Sequence, residues 1–371
     1  MRKIMQTVLL AGALLWPCLC AAQGQSGSTL YGPSLGLMFD STSAAIRPIL
    51  GIPGAATLGA PLNAGLAVGQ AVVAPHGDFA LVVAKDDFSL VVVLASGGVV
   101  QNFAPAMGEA PDLISFSPGG SSAALYYRAS GRLLVLGGLR SQTPQAVEAD
   151  ASSLPAAASL VAVSEDAASL LLAVRLGETT GLYLLPNRPR APRSTSPMEL
   201  ATTTLRNDLS TITSPAHAVA QKVGTFHSVS ALRFAGASSD ALVADGAANA
   251  VYLVQNASGA AQITALGSAQ DGLSQPVAIE AMDAKRVLVA NAGANTLTIL
   301  YRDGTPAVTV QCGCSPSVIH QLSGSSVYRL TEPSQEPMWL LAAGGDELRI
   351  LAVPPDRSQS APAAAAKGGQ R

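Results

Sequence analysis

Val277-Ala278-Ile279-Glu280-Ala281-Met282, Arg286-Val287-Leu288-Val289-Ala290-Asn291, Thr296-Leu297-Thr298-Ile299-Leu300-Tyr301 and Ala307-Val308-Thr309-Val310 are four short apolar runs in close succession. Asp283-Ala284, Ala292-Gly293-Ala294-Asn295 and Arg302-Asp303-Gly304 separate them. Each run has the length and β-branched content of a strand, and each gap has turn chemistry. The stretch predicts one antiparallel sheet of four short strands.

The same order recurs along the chain. One copy runs from Ala71 to Val100 with its first turn at Pro75-His76-Gly77-Asp78, and another from Asp112 with its turn at Ser117-Pro118-Gly119-Gly120. Further copies begin near Ser159, Ser230 and Ser317. A spacing of roughly 40 to 47 residues is that of propeller blades. Leu35 to Leu50 reads as an extra hairpin, either a device that brings the chain ends together or the core of a smaller seventh blade. The expected fold is all-β: a β-propeller of six or seven four-stranded antiparallel blades, closed near the N-terminal hairpin. Ala156 to Arg175 is rich in helix formers. Its turn at Ser164-Glu165-Asp166 falls where Ser117-Pro118-Gly119 falls in the earlier copy, so strands are expected there too.

Leu288-Val289-Ala290-Asn291-Ala292-Gly293-Ala294-Asn295-Thr296-Leu297-Thr298-Ile299 resembles the YVTN and NHL class of secreted propeller repeats. The resemblance extends over most of residues 66–353, with a close match only in 277–311. It implies a fold, and relatives that are secreted binding proteins, lactonases or quinone-dependent enzymes; it implies no one activity.

Composition agrees with closely packed sheets. Of the 371 residues 49% are hydrophobic and only 12% charged, with a net charge of -2. Outside the short Arg188, Arg190, Arg193 run there is no basic stripe of the kind nucleic acid requires, and 4% aromatic residues leave few stacking platforms.

Met1-Arg2-Lys3, an apolar run from Ile4 to Trp16 and Cys18-Leu19-Cys20-Ala21-Ala22 have the layout of a secretory signal peptide over residues 1–22. An uncleaved anchor and a lipidated Cys18 or Cys20 are the alternatives. The expected mature chain is a secreted or periplasmic monomer without a membrane span, comprising a propeller over 23–353 and a loose tail over 354–371. Within the propeller, the proline-rich stretch 186–226 reads as an inserted loop on one face.

Chemistry is sparse. Cys312-Gly313-Cys314 is the most specific local feature, read as a disulfide in a small, strained and reducible ring that pins the link between two blades, with zinc held by both cysteines and His320 as the other reading. His76, His217, His227 and His320 are scattered through the repeat. Asp40, Asp245, Asp283 and Asp303 fall in turns; Asp245 and Asn291 close matching strands, as a polar ring or as turn caps. Asn256-Ala257-Ser258 fits a glycosylation acceptor. No nucleophile elbow, His-Glu-x-x-His helix or phosphate-binding glycine loop is present. No cofactor is expected. The expected function is non-enzymatic binding of a protein or polysaccharide partner; the alternative is a lactonase-like hydrolase using polar groups around the central channel.

Overall fold

The computed structural model describes residues 32–95, 99–103, 108–141, 144–187, 219–324, 326–333, 337–344 and 347–355. Residues 1–31, which include the expected signal peptide, most of the proline-rich stretch with His217, and the residues beyond 355 lie outside these. The chain forms an all-β propeller of seven antiparallel sheets, six of four strands and one of three.

Apolar runs become strands buried on both faces because each blade is packed between two others. Phe79–Ala84 in blade two, Ala123–Tyr127 in blade three and Ala241–Asp245 in blade five are buried at every position. Such strands lose the polar alternation of a half-solvated sheet, which accounts for the scarcity of charge. Seven clusters of buried side chains fill the gaps between neighbouring blades. Each fully buried leucine or valine in them contributes about 1.5–3 kcal/mol, and truncating Leu125 or Leu172 to alanine would cost about 2–5 kcal/mol.

Blades two to seven begin with the strands Val68–Val73, Leu113–Phe116, Ala158–Val163, Val229–Phe234, Pro276–Ala281 and His320–Gln321. These are the inner strands: the first strands of blades three to six touch one another from blade to blade. Ser159, Ala168 and their neighbours are strand and turn, so the helix-forming composition of residues 156–175 yields to tertiary packing. Gln221–Phe226, at the end of the proline-rich stretch, is the fourth strand of blade four. The one helical turn among the described residues is Ala269–Asp271, capped by Ser268.

Blade one consists of Ser34–Asp40, Ala45–Ile52 and Ala55–Leu58. Its first strand starts beside the first turn of blade two, where Leu37 N–H donates to the Gly77 carbonyl at 2.9 Å. It ends on Asp40, as the second strands of blades five and six end on Asp245 and Asn291. The three strands therefore hold the second, third and fourth positions, and among the described residues none holds the inner position. Blades seven and two meet directly there. His76 N–H donates to the Gln321 carbonyl at 3.2 Å, and Ser323 Oγ donates to the His76 carbonyl at 2.7 Å. Leu35, Met38, Ile49 and Ala56 of blade one pack with Leu322, Val327, Met338, Leu340 and Val353 of blade seven.

Candidate functional site at the channel mouth

The ladder between first and second strands ends on Val73↔Ala80, Phe116↔Ala123, Val163↔Leu170, Phe234↔Ala241, Ala281↔Val287 and Gln321↔Tyr328. One residue earlier, at equivalent depth along the six inner strands, stand Val72, Ser115, Ala162, Arg233, Glu280 and His320. Blades two to four thus supply small or apolar side chains, and blades five to seven supply a cation, a carboxylate and an imidazole.

Arg233 and Glu280 form an ion pair, with side chains 22% and 8% exposed. Burial lowers the Arg233 pKa to about 10. His320 is driven down to about 3, first by burial and then by the charges of Arg329 and Arg233, so it is neutral at physiological pH. One ring nitrogen donates to the Ala74 carbonyl, and Nε2 is buried with no partner among the described residues.

Above this level the first turns surround a cavity of about 690 Å³. Its charged lining consists of Glu165, Asp240, Glu280, Asp283 and Arg302. Every one of these carboxylates is already engaged. Glu165 receives the N–H groups of Gly119 and Ser121 at 2.7 and 3.3 Å. Burial pushes its pKa up, but the hydrogen bonds from Ser121 and Gly119 outweigh that and hold it below its ordinary value. Asp240 accepts from Asn256 N–H at 3.1 Å and lies 3.8 Å from Arg302. Asp283 accepts from Lys285 N–H and Arg286, which outweigh burial and lower its pKa. The arrangement presents fixed charges and dipoles at an open mouth, the material of recognition.

The residues marked in the sequence are dispersed. His76 lies in a first turn and lines the cavity, with φ +75°. His227 is 76% exposed, 3.6 Å from Asp245. Asp245 and Asn291 are buried caps: Asp245 accepts from the N–H groups of His227, Ser228 and Ala248, and Asn291 from that of Ser274. Asp40 binds Thr42 and Ser43 in the same manner, and Asp303 binds Thr305. Asn256 is exposed in a turn. Cys312 and Cys314 are joined to each other, with Cα atoms 5.0 Å apart. Among the described residues no group of three or more His, Cys, Asp or Glu side chains is placed to hold a metal ion. Glu165 and the Arg233, Glu280, His320 arc escape a motif search because they come from separate blades. Their shared signal is position, one residue before the end of an inner strand or within a first turn.

No family model matches the chain, and no curated protein matches it. Solved structures similar in fold include a putative 6-phosphogluconolactonase from Bacteroides fragilis, at 13% identity and TM-score 0.52 over 86% of this chain and 94% of that one. A functionally unknown protein from Desulfotomaculum acetoxidans is similar at 12% identity and TM-score 0.52, over 87% and 100% of the two chains. A streptogramin B lyase is similar at 10% identity and TM-score 0.50, over 84% and 87%. Likeness at this identity concerns the fold alone.

Proposed function

We propose that this chain is a secreted, non-enzymatic propeller that binds a protein or polysaccharide partner at the channel mouth, with blade one closing the ring. The observation that carries this reading is the engagement of every carboxylate lining the cavity by an arginine or by backbone N–H groups. Such groups keep fixed charge and geometry, as recognition requires, whereas a general acid or base needs a proton free to move at a reacting atom. The leader at residues 1–22 supplies the secretion half of the proposal. The test is binding of soluble polysaccharides and of proteins from the same extracellular space to the wild type and to Arg302→Ala and Asp240→Asn variants. Saturable binding weakened at least tenfold by either substitution supports the reading.

A lactonase-like hydrolase is the second reading, favoured by the unpartnered Nε2 of neutral His320 beside the Arg233–Glu280 pair. It requires turnover of simple γ- and δ-lactones that His320→Gln abolishes. Turnover of that kind would replace the binding proposal.

A further inference from the structure

Cys312 and Cys314 close a ring across a single glycine at the end of blade six. Chain-entropy stabilisation by a disulfide grows with the length of the loop it closes, and this loop is about as short as one can be. The segment is also held without it. Cys312 N–H donates to the Asn295 carbonyl at 2.9 Å, and the preceding strand Val308–Gln311 is paired with residues 296–299. As a staple the bond has little left to do.

The two sulfurs differ in their surroundings. Cys312 is 3% exposed within the core shared by blades six and seven, whereas Cys314 is half-buried at its edge and Gly313 between them is exposed. Gly313 has no side chain to screen the bond, and the Trp339 ring lies beside it, 3.4 Å from where a Cβ would stand. The greater exposure of Cys314 favours approach of an incoming thiolate to that residue over Cys312, and attack on one defined sulfur is what directed exchange requires.

We propose that Cys312–Cys314 is a thiol–disulfide exchange centre that accepts two electrons from an external dithiol. One thiolate of the dithiol attacks Sγ of Cys314, the Cys312–Cys314 bond breaks, and Cys312 leaves with the electron pair and takes a proton. The second thiolate then attacks its own sulfur in the mixed disulfide and releases Cys314, which takes the second proton. The dithiol is oxidised to its disulfide and the pair is reduced to two thiols. This site is independent of the channel mouth.

The test is a titration of the full chain in glutathione buffers of varied reduced-to-oxidised ratio, with quenching by a maleimide, mass analysis of the Cys312–Cys314 peptide and circular dichroism in parallel. The expected result is reversible conversion to the dithiol while the fold is retained. Cys312→Ser, which leaves the more exposed cysteine, is expected to trap glutathione as a mixed disulfide at least tenfold faster than Cys314→Ser. Persistence of the disulfide at every ratio until the chain unfolds overturns the proposal, as does equal trapping by the two variants. Should neither variant fold, the wild-type titration decides.

Discussion

Arg233 and Glu280 pair across the boundary between blades five and six, one cation and one carboxylate contributed by neighbouring inner strands at the same depth. Removing one partner leaves the other charge largely buried and uncompensated, whereas replacing both removes the desolvation cost together with the attraction. Glu280→Gln should therefore lower unfolding free energy by about 3 kcal/mol, and the double change Arg233→Met with Glu280→Met by less than that. Urea unfolding monitored by circular dichroism checks the order; equal or greater loss in the double variant would contradict it.

His320 makes stability depend on pH. In the folded chain it stays neutral down to about pH 3, whereas the unfolded chain takes up the proton near pH 6.5. Above pH 6.5 neither state binds it and the group is without effect. As pH falls from 6.5 toward 3 the unfolded state gains a proton that the folded state refuses, and stability drops by about 1.4 kcal/mol per pH unit. The carboxylates held low, Glu165 and Asp283, have ordinary values of 4.5 and 3.8, so their stabilisation is lost mainly as pH falls below those values, outside the interval between pH 7 and pH 5. Comparison of the wild type with His320→Gln at pH 7 and pH 5 isolates the imidazole: the difference between them should change by about 2 kcal/mol.

Asp245 and Asn291 occupy matching positions and are not interchangeable. Asp245 receives three backbone N–H groups on its two oxygens, while the Asn291 amide donates to the hydroxyls of Thr296 and Thr298. Blade five has Ala250 and Tyr252 where those threonines stand. Asp245→Asn should leave the His227 N–H facing an amide donor and cost about 1–3 kcal/mol, read as a lowered melting temperature by calorimetry.

Gly77 sits at φ +68°, and a Cβ there would stand 2.8 Å from the Gly36 Cα. Both the left-handed backbone and the close approach of blades one and two exclude a side chain. Gly77→Ala should destabilise by about 1–3 kcal/mol. Hydrogen exchange should rise first in residues 34–58 if this contact anchors the first blade; uniform exchange would refute that.

The propeller was legible in the sequence because turn chemistry at fixed offsets survives even where strands are degenerate. Ser117-Pro118-Gly119 and Ser164-Glu165-Asp166 mark the same turn although residues 156–175 carry helix-forming composition. The choice between six and seven blades was not legible. Leu35 to Leu50 looks like a hairpin whether or not a third strand follows, and Ala55–Leu58 is too short to announce itself. The candidate site was hidden for another reason: Arg233, Glu280 and His320 are a long way apart in the chain, and only the register of three separate sheets brings them to one level. Cys312 and Cys314, two residues apart, needed no such assembly.

The meeting of blades seven and two over the first blade leaves the axis lined, among the described residues, by six strands although seven sheets surround it. No rotation maps such an inner wall onto itself in step with the outer one. At the depth of Arg233, Glu280 and His320 the ionisable side chains stand on one side of the axis and the uncharged Val72, Ser115 and Ala162 on the other, so the wall presents a different face to each rotational setting of whatever lies within it.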